Sequence, residues 1–240
     1  IVPGHFHLRQ VAEFVKKGVH LAGANAVEFG VIGCCDSVGN GTVGGHYILP
    51  SREIIADSIE IMAKAHRLDG IVLLGSCDKI VPGMLMGCLR SNIPAIMVPG
   101  GPMLSGPAYG EKTKADSTTV AETYGKYQKG LAKWEEVLNL QKITQPTCGS
   151  CNFYGTANTM SCTAEALGLV LPGGGAIPAV YNERLRSAKK TGEKIVELVS
   201  KNIRPKDIVT KKAIQNAISY VMATGGSTNA VLHISAIGYE

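Results

Sequence analysis

Three short segments constrain this chain most: AVEFGVIG (26–33), GIVLLGS (70–76) and PAIMVPG (94–100). They are rich in β-branched residues and apolar on both faces. Strands of that kind are buried completely in a parallel sheet covered by helices on both sides. Helical patterns lie between them. Ser51 precedes REIIADSIEIMAKAHR, in which Ile54, Ile55, Ile59 and Met62 recur at helical spacing. KIVPGMLMGCLRSN carries its proline in the first turn, where a missing N–H is tolerated. This repeating βαβ pattern predicts a three-layer α/β/α fold with a mostly parallel sheet. Beyond it, the loop GGPMLSGPAYG (100–110) leads into helices expected near 117–141, 155–169, 182–202 and 208–238. No internal repeat or convincing domain boundary interrupts the sequence.

Composition narrows the function. The net charge of +5 is scattered, with no basic stripe interleaved with aromatics, which argues against nucleic-acid binding. No apolar run approaches the ~20 residues needed to cross a bilayer, and the start, IVPGHFHLRQ, lacks the character of a signal peptide. A cytoplasmic protein is therefore expected, and its seven cysteines point to metal binding or core packing rather than disulfides.

In an open α/β sheet, ligands bind beyond the carboxyl ends of the strands. Two cysteine-bearing segments are expected there. GCCDS places Cys34, Cys35 and Asp36 after the first expected strand, and GSCDK places Cys77, Asp78 and Lys79 after the second. A third segment, PTCGSCNFYGTANTMSC, holds Cys148 and Cys151 just before a helix, a setting that favours thiolate. Cys88 and Cys162 sit inside helical patterns among apolar residues and read as core. Soft thiolates from three loops suit an iron–sulfur cluster or zinc, while Asp36 and Asp78 suit a hard ion such as Mg2+. His5, His7 and His46 read as loop or core histidines, Met84 and Met86 as core, and Ser227 in GGSTNA as either an anion cradle or a helix cap. Taken on these residues alone, a flavodoxin-like α/β binding module with zinc on Cys148 and Cys151 remains an alternative.

The segments LPSREIIADSIE, SCDKIVPGMLMG, PTCGSCNFYGTANTMSCTAEALGLVLPG and GGSTNAVLH, in that order, resemble the signature segments of the dihydroxy-acid dehydratase and 6-phosphogluconate dehydratase family. The resemblance covers nearly the whole chain. It implies that residues 1–240 form the family's N-terminal, cluster- and Mg2+-binding domain, flavodoxin-like in fold. It also implies an iron–sulfur cluster held by Cys35, Cys77 and Cys151, with Cys34 and Cys148 as rival ligands. Where two-iron members carry a cysteine, this chain has Gly4, so a [4Fe-4S] cluster is favoured over [2Fe-2S]. The Mg2+ ligands implied are Asp36, Asp78 and a carbamylated Lys79, which is also the implied catalytic residue. The implied reaction is a hydro-lyase conversion of a 2,3-dihydroxy acid to a 2-keto acid, as in branched-chain amino acid biosynthesis. A phosphosugar or sugar acid is the alternative substrate. Family members continue into a β-rich C-terminal domain that supplies a further carboxylate and a serine base. The resemblance therefore implies a homodimer in the longer protein, no nucleic-acid or membrane partner, and no activity from these residues alone.

Overall fold

The computed structural model of the protein describes residues 2–107 and 114–240. The end of the 100–110 loop, at 108–110, lies outside the described residues. In chain order the elements are α1 (Leu8–Leu21), α2 (Asp36–Gly39), α3 (Pro50–Ala65), β1 (Ile71–Gly75), α4 (Ile80–Ser91), β2 (Ala95–Pro99), β3 (Gly106–Pro107), β4 (Lys114–Ala115), α5 (Ser117–Gln128) and α6 (Trp134–Ile143). They continue as α7 (Thr156–Ala166), α8 (Asn182–Ser200), α9 (Pro205–Ile208), α10 (Lys211–Thr224) and α11 (Asn229–Tyr239). Among the described residues no helix is long and apolar enough to cross a membrane.

β1 and β2 run parallel, with Ile71 opposite Ala95 and Gly75 opposite Pro99. A further parallel bridge joins Met97 to Val170 on the far side of β2. One face of this sheet packs against α3, α4, α7 and α11 through Ile55, Ile59, Leu85, Met160 and Ile237. The other packs against α1 and α8 through Val11, Val15, Ala188 and Ile195. Helices on both faces of a parallel pair give the expected layered α/β arrangement. The helix α4 is buried along ten of its twelve residues. Its glycines explain how it reaches that depth: a Cβ on Gly83 would lie 2.7 Å from the Arg52 carbonyl oxygen, and one on Gly87 would lie 2.9 Å from that of Ala56. Side chains at either position would push α3 away.

The structure departs from the sequence reading in four places. Residues 26–33, expected as the first strand, join no ladder, and Val27 is 78% exposed. Their β-branched composition favours a pleated backbone, but a strand also needs a neighbour to pair with. None of the described residues supplies one. The 117–141 stretch divides into α5 and α6, with Gly130 left-handed between them (φ +72). The 208–238 stretch divides into α10 and α11, with the short α9 ending where it begins, and Gly225 closes α10 in the left-handed conformation (φ +65) with its N–H on the Val221 carbonyl. Finally, α1 is a helix not among those read from the sequence, although Val11, Val15 and Val19 recur at helical spacing and all are buried.

Candidate metal and substrate site

β1 ends at Gly75, and the next four residues turn the chain directly into α4. Ser76 is buried, Cys77 and Asp78 are half-buried, and Lys79 is 7% exposed as the residue before the first helical turn. Cys35 and Asp36 arrive from the other side, at the start of α2. The two Cys–Asp pairs meet through Lys79, whose Nζ lies 3.1 Å from Asp36 Oδ2 and 3.9 Å from Asp78 Oδ2. The carboxyls of Asp36 and Asp78 also share a hydrogen bond. Burial, together with that bond, raises the pKa of Asp78. In Asp36, burial acts upward but is outweighed by the bonds from Asp78 and Lys79, which hold its pKa below the usual carboxylate range. Ala157, in the first turn of α7, lines the same cavity as Asp78.

The thiols converge on the same corner. Burial pushes the Cys77 pKa far up, and the nearby Cys35, Asp78 and Cys151 push it further in the same direction. Cys151 is also raised, by burial first, against the opposing bond from Ser37 Oγ at 3.7 Å. Cys88 and Cys162 follow the duller reading. Cys88 is fully buried and donates to the Leu85 carbonyl, and Cys162 lies within α7.

A cavity of about 250 Å³ opens onto these groups, lined by Asp36, Ser37, Asn40, Asp78, Cys151 and Thr156 among others. Its floor is held by a buried amide: Asn158 donates to the carbonyls of Cys151 and Phe153 and accepts from Ser150 Oγ. On one side, Ser227 Oγ and Asn229 Nδ2 each lie 2.9 Å from Thr156 Oγ1, tying the start of α11 to the start of α7. Ser227 Oγ also accepts the Asn229 N–H at 3.3 Å, just ahead of Thr228, the N-cap of α11. His5 and His7 are structural here. His5 Nε2 accepts the Ser76 N–H at 3.1 Å, and His7 Nε2 donates to the Gly100 carbonyl at 2.8 Å, which clips the N-terminal turn over the ends of β1 and β2. His46 is exposed. Gly4 lies directly against Cys77: a Cβ at this position would overlap Cys77 Sγ.

Sequence reasoning missed Ser37, Asn158 and Thr156. Only Ser37, directly after Asp36, carried a local signal. The donors are of two kinds of hardness: the sulfurs of Cys35, Cys77 and Cys151, and two carboxylates bracketing an amine. This set fits a thiophilic cluster beside an oxygen-preferring ion. No three His, Cys, Asp or Glu side chains among the described residues stand ready to grip one metal ion. A cluster spreads its thiolates over several irons, and the carboxylate pair would need a third oxygen from elsewhere or from a modified lysine.

A family model described as Dihydroxy-acid/6-phosphogluconate dehydratase N-terminal matches residues 1–240. The chain is 57% identical over 240 residues to a dihydroxy-acid dehydratase of Caldanaerobacter subterraneus subsp. tengcongensis. It is 53% identical over the same length to proteins of that name from Caldicellulosiruptor bescii and Acetivibrio thermocellus. In each case the match takes in all of this chain and 43% of the relative.

Proposed function

As the chain belongs to the dihydroxy-acid/6-phosphogluconate dehydratase family, to its N-terminal part, we propose that it is the metal-binding domain of a hydro-lyase that converts a 2,3-dihydroxy acid to a 2-keto acid. The observation that carries this reading is the meeting of Asp36 and Asp78 on Lys79, beside the half-buried thiols of Cys77 and Cys151. Cys35, Cys77 and Cys151 would hold an iron–sulfur cluster, and Asp36, Asp78 and a carbamylated Lys79 would hold Mg2+. When bound, these groups supply Lewis acidity at the C3 hydroxyl and at the carboxylate and C2 oxygen of the substrate.

The chain's own residues do the positioning. An unmodified ammonium at Lys79 has donors and no lone pair, so it neutralises the two carboxylates but cannot ligate a metal. Carbamylation would convert the same side chain into an anionic oxygen ligand. Ser37 and Asn40 present neutral hydrogen-bonding groups to the cavity, fit for a substrate hydroxyl, and Phe153 gives it an apolar wall. Among the described residues no lysine or arginine lines this cavity, and the Lys79 ammonium beside it is taken by Asp36 and Asp78. That lining favours a branched-chain dihydroxy acid over a phosphorylated sugar acid. Gly4 leaves the face of Cys77 without a fourth sulfur, so a [4Fe-4S] cluster with Cys35 as its third thiolate is favoured over [2Fe-2S].

Ser227 is spent on Thr156 and Asn229, and Asp36 and Asp78 are taken by Lys79, so none of these described residues is assigned as the base. The base is assigned to the remainder of a longer, homodimeric protein. The test is anaerobic reconstitution of the full-length protein with iron and sulfide, followed by iron counting, electron paramagnetic resonance and assay on 2,3-dihydroxyisovalerate. Four irons per chain and formation of the keto acid are expected. Stoichiometric zinc without iron uptake would instead favour a zinc-stabilised binding module. Residues 1–240 alone, reconstituted in the same way, are expected to show no turnover, since loss of a general base costs ~10²- to 10⁴-fold. Activity within about tenfold of full length would place a base within this domain.

A further inference from the structure

A second cavity lies away from the metal site. It is a cleft of about 790 Å³ between residues 24–33 and β1, walled by apolar side chains such as Val15, Phe29, Val31, Val72, Leu74 and Ile195. β1 pairs with β2 on one side only. Alternate residues of a parallel strand bond to opposite neighbours. The Ile71 N–H bonds to the Pro94 carbonyl, and the Gly75 carbonyl accepts from Gly100. Odd-numbered residues therefore serve β2, and the backbone groups of Val72 and Leu74 point into the cleft without a strand to receive them. The next group on that edge, the Ser76 N–H, is taken by His5 Nε2. The opposite wall is the strand-like sequence 26–33 that found no partner, pinned to α1 by Lys16 on Glu28 at 2.6 Å. Two strand-forming segments thus face each other across an apolar cleft.

We propose that this cleft seats one further β-strand, supplied by polypeptide outside these 240 residues and leading directly into Val2, and that it runs parallel to β1 and pairs with it. The direction follows from three contacts. Val2 is buried and packs in the main core, Gly33 lies against Val2 and Ile80, and His5 reaches Ser76, all at the carboxyl end of β1. A segment that fills the cleft and continues into Val2 enters at the Gly70 end and travels with β1. Five residues would match β1, a span of about 17 Å at ~3.3 Å per residue. Its side chains would be apolar on both faces, because helices α1 and α8 cover one side and α3 and α4 the other. The shared part is 43% of the relatives' length, so each has further chain outside it. The strand would complete the sheet as 26–33, the added strand, β1, β2 and the Val170 bridge. It would also fix the segment that delivers Cys35 and Asp36.

The test is residue-resolved amide hydrogen exchange on the full-length protein at two protein concentrations. The amides of Val72 and Leu74, and those of the residues just before residue 1, are expected to exchange at least about 100-fold more slowly than loop amides at both concentrations. Three outcomes would overturn the proposal. Val72 and Leu74 could exchange at loop rates. They could be protected while the preceding residues exchange freely, which would mean that 26–33 closes the cleft itself. Protection could also vanish on dilution, which would make the occupant a second copy of the chain.

Discussion

The dipeptide Cys–Asp occurs twice in this chain, in two different mechanical settings. Cys77 and Asp78 stand between a laddered strand and a helix buried along ten residues, with Gly4 packed directly against the Cys77 sulfur. Cys35 and Asp36 open the four-residue α2, none of whose residues is buried, after a segment that joins no sheet. Identical chemistry is presented once on a rigid mount and once on a compliant one. A site assembled this way has one half set by the core and another whose position depends on what packs beside it.

The largest effect that could break this comparison is functional. In the full-length protein, Cys77→Ser and Cys35→Ser are both expected to strip the iron and reduce activity to below about 1%, while Cys148→Ser leaves both intact. The compliant mount is thus expected to matter as much for chemistry as the rigid one. Iron retention in Cys35→Ser, or iron loss in Cys148→Ser, would show that the third thiolate comes from elsewhere.

Stability should separate the two halves where chemistry does not. Gly83→Val places a branched side chain against the Arg52 carbonyl and Ile55 and is expected to cost about 3 kcal/mol in urea unfolding. Gly41→Ala, at φ +74 with open space around it, should cost only about 1 kcal/mol, through backbone strain alone. Equal costs would mean that the α2 side is packed more tightly than its exposure indicates.

A smaller effect concerns His233, on α11. It is fully buried, with Nδ1 3.2 Å from Arg52, and burial followed by the charges of Arg52 and Lys79 lowers its pKa to about 4. Its ordinary value is 6.5, so between about 6.5 and about 4 the unfolded chain holds the extra proton. Its contribution is complete above the unfolded value and is lost as pH falls, by roughly 2 kcal/mol at about pH 5. His233→Gln should flatten the dependence of unfolding free energy on pH in that window. An unchanged slope would remove His233 from the rigid half's acid sensitivity.

Much of this molecule was legible before any coordinates. Local periodicity marked α3 and α4 and the two strands between which α4 lies, because those elements bury a continuous apolar face. The motif pairs marked Cys35, Asp36, Cys77, Asp78, Lys79 and Cys151, because thiols, carboxylates and an amine at strand ends have few structural uses. What the sequence could not determine depends on partners distant in the chain. Val27, Phe29 and Val31 have the composition of a strand whether or not a neighbour is present to pair with them. Only the tertiary structure decided that this neighbour is not among the described residues. It likewise decided that Gly4 lies against Cys77, that Ser37 reaches Cys151, and that Asn158 and Thr156 frame the cavity. Each of these is a contact between residues tens of positions apart or buried within a helix start, set by how α2, α4, α7 and α11 pack. Propensity and spacing act along the chain, whereas a site is closed by the packing of elements across it.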